Sequence, residues 1–139
     1  MALIFQKKQL FYARNKAQAK SLKFNFAEMS IDKLFFRNKS FDIVMTSMVL
    51  HETPVSVRHK AIAEASRVLK KNGYFLLIDW SKPRSGLWGI IWLPILLIRR
   101  RNSDNWYNRY PKLCEEQGMQ TIEDEYINPL VRRQIFIKK

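Results

Sequence analysis

A histidine and a carboxylate stand side by side after an apolar stretch of the chain, at His51 and Glu52. Imidazole titrates near neutral pH, so His51 can serve as a general base that Glu52 helps to orient. A histidine after a strand more often serves packing or hydrogen bonding, and both interpretations stay open. Thr46, Ser47 and Met48 directly precede this pair and would line the same site.

The elements around these residues predict a parallel sheet. Residues 41–45 form an apolar, partly β-branched strand, and residues 74–80 form a second apolar strand. Between them a helix is predicted, with Thr53 as its N-cap and Gly73 as its C-terminal left-handed residue. A strand, a crossover helix and a second strand make a βαβ unit.

Ligands of such sheets bind beyond the carboxyl ends of the strands. In this chain that rule points to two segments, residues 46–52 and residues 79–82. The candidate site is therefore placed where the two strands end.

The rest of the chain divides into weaker elements. Helices are predicted over residues 6–20 and 111–117, and a short strand over residues 24–29. Two final strands, residues 120–127 and 131–137, flank a turn and suggest an antiparallel hairpin at the sheet edge.

Composition favours one globular domain spanning residues 1–139. Hydrophobic residues make up 47% of the chain, which argues against disorder. The single cysteine, Cys114, cannot form an internal disulfide, and no Cys/His cluster predicts a structural zinc site. No secretory signal is recognised at the start, so a cytoplasmic location is expected.

The net charge of +13 is unevenly placed. Residues 1–27 carry six basic groups and no acid, and residues 81–113 carry seven basic groups against Asp104 alone. This asymmetry favours attraction to a polyanion, either nucleic acid or an anionic membrane surface. A solvated face without a partner is the alternative.

An apolar and basic insertion is predicted at residues 84–110, with its apolar part at residues 87–98. Three interpretations compete. The segment covers the site and shapes an apolar substrate pocket, or it touches a membrane interface with Arg99–Arg101 at headgroup level. A spanning helix is the third, and twelve residues fall short of the roughly 20 that a bilayer needs.

The order of these segments resembles the second half of a class I S-adenosylmethionine-dependent methyltransferase. Phe-Asp-Ile-Val (41–44), Leu-His-Glu (50–52), Arg-Val-Leu-Lys-Lys-Asn-Gly (67–73) and Phe-Leu-Leu-Ile-Asp-Trp (75–80) carry the likeness. Upstream, residues 13–17 and 26–29 match that family's preceding helix and third strand. Downstream, residues 113–119 and the hairpin resemble its C-terminal end.

The resemblance implies a Rossmann-like α/β sheet, mostly parallel with an antiparallel C-terminal hairpin, and S-adenosylmethionine as cofactor. It implies that Glu28 accepts a hydrogen bond from the adenine amine and that Met29 packs on the ring. Thr46, Ser47 and Met48 would line the cofactor cleft, with His51 as the available catalytic base.

The family's Gly-rich loop has no counterpart here, because the four glycines are Gly73, Gly86, Gly89 and Gly118. Backbone amides of such a loop allow close approach of the cofactor. Either the sequence is an N-terminally truncated copy, which is favoured and leaves its activity in doubt, or a partner supplies the rest.

The leading hypothesis is methyl transfer to a small acceptor, and the apolar segment 87–98 suits a lipophilic one. A nucleic-acid methyltransferase or RNA-binding module is the first alternative, motivated by charge. Residues 46–52 lack the Asn/Asp-Pro-Pro-aromatic signature of base-amine methyltransferases. A non-enzymatic peripheral membrane remnant is the second alternative.

Overall fold

The computed structural model describes residues 2–3, 7–23, 25–84, 91 and 103–139. The first half contains a short strand, a helix and two further strands. These are β1 (Ala2–Leu3), α1 (Lys7–Ala19), β2 (Phe26–Ala27) and β3 (Phe41–Ser47). The second half continues with a 3₁₀ turn (Leu50–Glu52), α2 (Val55–Val68), β4 (Leu69–Trp80), α3 (Ser103–Trp106), α4 (Tyr110–Glu116), β5 (Met119–Asn128) and β6 (Val131–Lys138).

The main sheet has four strands in the order β3-β4-β6-β5. Strands β3 and β4 are parallel, with Ser47 opposite Ile78, and α2 crosses between them. Strands β5 and β6 form an antiparallel hairpin, and β6 pairs antiparallel with β4. The βαβ unit and the edge hairpin predicted from sequence are both confirmed.

The ends of the crossover helix differ from the prediction. Pro54 occupies the N-cap position and makes no side-chain cap, whereas the hydroxyl of Thr53 donates to the carbonyl of Leu50 at 2.8 Å. Thr53 is thus used to close the preceding turn rather than to cap the helix.

Strand β4 begins directly where α2 ends, so the predicted C-terminal role of Gly73 is wrong. Leu69 is already extended at φ −71°, ψ 138°. The left-handed residue is Asn72, at φ 63°. Gly73 is required for space, because an added Cβ would lie 3.0 Å from the backbone oxygens of Asp42 and Lys70.

One face of the main sheet packs against α2 and α4, and we call it the covered face. Its apolar residues on the two central strands, β4 and β6, are almost inaccessible: Phe75 is 2% exposed, Leu77 1% and Phe136 0%. The helices contribute Ala61, Ile62, Ala65, Tyr110 and Cys114 to the same cluster. Apolar burial on this side holds the sheet and both helices together.

The opposite face carries apolar side chains that stay accessible, and we call it the open face. Ile43 is 64% exposed, Met45 62% and Tyr74 44%. Strand pairing places Ile43 opposite Tyr74, so they share this face.

Strands β1 and β2 form a separate parallel pair, with Ala2 opposite Phe26. Most of the insertion predicted at residues 84–110, including its apolar part at 87–98 apart from Ile91, lies outside the described residues. Within the described ranges, no helix has the length and apolar character that crossing a membrane requires.

Candidate active site at the carboxyl edge of the sheet

The candidate site lies where β3 and β4 end side by side. Beyond Ser47 the chain leaves the sheet at Met48, whose φ is 55° and whose N–H donates to the carbonyl of Ile78 at 2.8 Å. The 3₁₀ turn that follows carries His51 at 17% side-chain exposure. His51 therefore stands on a short, hydrogen-bonded turn at the carboxyl edge.

His51 makes two contacts with Asp79, which ends β4. The backbone N–H of His51 donates to Asp79 Oδ2 at 2.9 Å, and its Nδ1 lies 2.5 Å from Asp79 Oδ1. A carboxylate only accepts hydrogen bonds, so this contact places the ring proton on Nδ1. Nε2 then keeps its lone pair, as a general base requires.

Asp79 is itself held in place. It is 3% exposed, and the N–H of Trp80 donates to its Oδ1 at 2.9 Å. The pairing of β4 with β6 further fixes this strand end, because Trp80 lies opposite Val131. A buried carboxylate that accepts several hydrogen bonds is a rigid support for an imidazole.

Two side chains border the accessible side of the imidazole. Glu52 places Oε1 3.7 Å from Nε2, but its side chain is 76% exposed. The ring of Trp80 meets His51 edge to face, with centroids 6.3 Å apart. Glu52 is thus a loose neighbour, and Asp79 is the residue that orients the ring.

A fully buried arginine fastens the turn that carries His51. Arg58 of α2 donates from Nε to the carbonyl of Leu50 at 3.1 Å and from a terminal nitrogen to that of Thr53 at 2.8 Å. Its other terminal nitrogen pairs with Asp104 of α3. Removing one partner of a buried pair typically costs about 3–5 kcal/mol. Arg58 therefore links the candidate base to the segment after the insertion.

A small cavity of about 10 Å³ has Asp79 among its lining residues. Its lining includes Ser81, Asn105 and Gln134. This volume and these polar groups suit a single water molecule. A larger open groove of about 450 Å³ lies elsewhere, between α1 and the start of β2, and holds no titratable carboxylate or imidazole among its lining residues.

The predicted site residues fall into two groups. Thr46, Ser47, Met48 and His51 meet at the carboxyl edge of the main sheet, as expected from their order. Glu28 and Met29 follow β2, which belongs to the separate two-stranded sheet. Glu28 is exposed and Met29 is half-buried. Their predicted contacts with adenine stay predictions.

Two residues that support His51 were not predicted from the sequence. Asp79 lies in the segment 79–82, which the strand-end rule indicated, but the sequence assigned it no role. Arg58 is harder to recognise from the sequence. It precedes Ala61, Ile62 and Ala65 by three, four and seven positions, which places it on the apolar face of the predicted helix. A charged residue on the apolar face of a helix indicates a buried polar contact.

Solved methyltransferases share this fold. A structure described as a SAM-dependent methyltransferase from Methanosarcina mazei superposes with a TM-score of 0.77 at 18% identity, over 98% of this chain and 80% of that chain. One from Aquifex aeolicus gives 0.73 at 18% identity, over 99% of this chain and 68% of that one. These likenesses confirm the Rossmann-like methyltransferase architecture.

Curated relatives are longer than this chain. The sarcosine/dimethylglycine N-methyltransferase of Aphanothece halophytica is 30% identical over 119 residues, which are 84% of this chain and 42% of that protein. An uncharacterized protein of Haemophilus influenzae is 51% identical over 47 residues, 34% of this chain and 19% of that protein. The chain thus spans less than half the length of either.

The family comparison covers the βαβ unit and everything before it. A model described as a methyltransferase domain matches residues 2–77, more than half of the chain. This span includes β3, the turn with His51, α2 and most of β4. The chain belongs to the methyltransferase domain family, for which S-adenosylmethionine is the methyl donor.

Proposed function

We propose that the carboxyl edge of the main sheet takes part in methyl transfer to a small acceptor, with His51 accepting the acceptor's proton. The observation that carries the proposal is the contact of His51 Nδ1 with Asp79 Oδ1 at 2.5 Å. It leaves Nε2 as the basic nitrogen on the partly exposed side of the ring. A base there takes the proton from a hydroxyl group as its oxygen attacks the methyl group, or from an ammonium group before the resulting amine attacks.

S-Adenosylmethionine would supply that methyl group on a sulfonium. The described residues fit only part of it. Glu28 offers an exposed carboxylate for the adenine side, and Thr46, Ser47 and Met48 offer a strand end. For the methionine part, the described stretches contain no Gly-rich turn at this edge, because Gly73 lies near the start of β4 and Gly118 precedes β5. The described residues therefore do not complete a cofactor site.

The surroundings of His51 favour a small acceptor with an apolar or aromatic part. The ring of Trp80 lies beside the imidazole and is 36% exposed, so it offers a face for stacking. Proximity and alignment of acceptor and methyl group would supply most of the rate.

The experiment measures transfer of labelled methyl groups from S-adenosylmethionine to small hydroxyl and amine acceptors. We expect His51→Gln to lower the rate about 10²–10⁴-fold, the usual contribution of a positioned base. Asp79→Asn should lower it as well, because an amide can hold the ring in the wrong tautomer. His59→Gln is the matched control, since His59 lies on α2 with a 45% exposed side chain.

Nuclear magnetic resonance of the imidazole nitrogens gives a second readout that needs no acceptor. The Nδ1–H tautomer should dominate in the chain and decline in Asp79→Asn. Unchanged transfer in His51→Gln would remove the base assignment. If calorimetry with millimolar S-adenosylmethionine shows no heat, the isolated chain is not a methyltransferase.

A polyanionic partner is the second candidate, and α1 is the element that favours it. Phe11 is 62% exposed and Tyr12 72%, on a helix that also carries Arg14 and Lys16. Exposed aromatic rings among basic groups are typical of single-stranded nucleic-acid binding. Titration with a short single-stranded RNA tests it: affinity should fall steeply with salt. Absence of binding at low salt would contradict this candidate.

A further inference from the structure

Two side chains of opposite charge hold the turn that carries His51. The Asp79 carboxylate accepts the backbone N–H of His51 at 2.9 Å. The Arg58 guanidinium donates to the carbonyls of Leu50 and Thr53 at 3.1 Å and 2.8 Å. One donor of the turn thus meets an anion and two of its acceptors meet a cation. Because hydrogen bonds to charged groups are stronger than those between neutral groups, these contacts fix the backbone on either side of the imidazole.

Arg58 depends on Asp104 for its charge balance. Arg58 is 0% exposed and its partner Asp104 is 2% exposed. Within the described ranges no second carboxylate lies at ion-pair distance from Arg58. The other ionisable groups near the carboxylate are basic, since His59 Nε2 lies 3.5 Å and Arg109 Nη1 3.9 Å from its oxygens. Without Asp104 the guanidinium would stay buried and unpaired, which is costly.

Asp104 is tied to the core by contacts that do not involve the turn. Its backbone carbonyl accepts the N–H of Arg109 at 2.8 Å, directly before α4 begins. Tyr110 and Cys114 of α4 belong to the core cluster. The carboxylate therefore has a position set by α4, and Arg58 transmits that position to the turn.

We propose that Asp104 is a positioning residue for His51 and acts through Arg58. The carboxylate holds the guanidinium in the one orientation that reaches both carbonyls of the turn. Once the carboxylate is lost, Arg58 turns toward water or other acceptors and releases the turn. A displacement of about 1 Å at reacting groups costs up to about 10²-fold in rate. The effect on methyl transfer rests on the proposed function, whereas the effect on the turn does not.

Two simpler roles of the same contacts make different predictions. If the buried pair serves stability alone, its loss weakens the whole fold and leaves local opening of the turn unchanged. If Asp79 alone positions His51, the turn stays closed when Arg58 is released. Hydrogen exchange separates these roles, because it measures the opening of each backbone amide by itself.

The experiment compares amide exchange by nuclear magnetic resonance in two variants of the full 139-residue chain. Asp104→Asn keeps the shape of the side chain and removes its charge. Met119→Ala is the matched control, because it also costs much stability but lies opposite Lys138 at the other end of the sheet. We expect the amides of His51 and Thr53 to exchange at least about tenfold faster in Asp104→Asn than in Met119→Ala. Circular dichroism verifies that both variants fold.

A second variant keeps the charge of the arginine. Arg58→Lys retains a cation beside Asp104 but replaces the planar fork by a single ammonium group, which cannot serve both carbonyls and the carboxylate. It should also speed exchange at His51 and Thr53 selectively.

The native chain decides the question if neither variant folds. The Arg58 Nε–H and the amide of His51 should then have equal protection from exchange, because the turn and the guanidinium open together. Protections that differ by more than about tenfold would show that the turn and Arg58 open separately, and would overturn the proposal.

The methyl-transfer assay gives the functional readout. Asp104→Asn should lower kcat at least about tenfold, since a misplaced base acts on the chemical step, and Met119→Ala should stay near the native rate. An unchanged kcat in an active Asp104→Asn variant would overturn the proposal. So would equal exchange of the turn amides in the two variants, whatever the activity. If the turn opens selectively in a chain that transfers no methyl group, only the proposed function is contradicted.

Discussion

The two faces of the main sheet are built from the same strands and have opposite environments. Phe75 and Phe136 stack with centroids 5.9 Å apart on the covered face and are at most 2% exposed. One residue away along the strands, Tyr74 is 44% exposed on the open face. The covered face is buried under α2 and α4, with Leu50 and Ile31 packed against the same cluster. Stability is therefore expected to depend more on the covered face than on the open face.

The largest contrast should appear in thiol reactivity. Cys114 lies under the covered face at 0% exposure, and burial raises the pKa of its thiol well above the usual range. In a Met45→Cys variant we expect the thiol on the open face to react with Ellman's reagent at least about a thousandfold faster than Cys114, which needs unfolding to react.

The native chain is the control for this experiment, because it contains only the slow thiol. Adding urea above the unfolding transition should make both thiols react at similar rates. If both thiols of the folded variant react slowly, the open face is covered. If both react fast, the covered face is loosely packed.

Truncations on the two faces should differ in free energy of unfolding. Phe136→Ala removes a ring from the cluster of Phe75, Leu77 and Met119 and should cost about 3–5 kcal/mol. Met45→Ala removes a side chain that is already 62% exposed and should stay within about 0.5 kcal/mol. Urea unfolding followed by circular dichroism measures both. Equal losses would contradict the division of the sheet into two faces.

The sequence alone predicted the strands of the sheet better than it predicted which of their side chains are buried. Residues 74–78 are apolar at every position, and such a run indicates a strand buried on both sides. Only the structure shows that Phe75 and Leu77 are buried whereas Tyr74 is accessible. Periodicity reports what a strand is suited to contact and cannot report which neighbours are present.

For the candidate site, strand order placed residues 46–52 and Asp79 at one edge, which the structure confirms. The contact between His51 and Asp79 joins residues 28 positions apart and depends on the register of β3 against β4. The local pattern of residue types does not determine the register between these two strands. Likewise, the pairing of Arg58 with Asp104 requires α2 and α3 to meet after an insertion, which spacing cannot predict.

The smallest effect concerns an ion pair that fastens the loop before β3 to α2. Glu64 accepts from Arg67 Nε at 2.6 Å and from the backbone N–H of Leu34 at 2.7 Å. The hydrogen bond from Arg67 is the largest cause that lowers the pKa of the Glu64 carboxyl below its usual value of 4.5. A carboxylate whose pKa is lower in the folded state than in the unfolded state stabilises the fold at pH values above its unfolded-state pKa. This contribution disappears as the pH falls through the folded-state pKa.

We therefore expect Glu64→Gln to lower the free energy of unfolding at pH 7 by about 1 kcal/mol or less, because the pair is partly solvated. Below pH 4.5 the difference from the native chain should shrink, since protonation of Glu64 removes the same interaction. Urea unfolding at a series of pH values measures this. Glu115→Gln, on the exposed side of α4, is the matched control. It should leave the dependence of the free energy of unfolding on pH unchanged. If the difference in the free energy of unfolding between the native chain and Glu64→Gln grows on acidification, ionised Glu64 destabilises the fold. That result would contradict the contacts of Glu64 with Arg67 and Leu34.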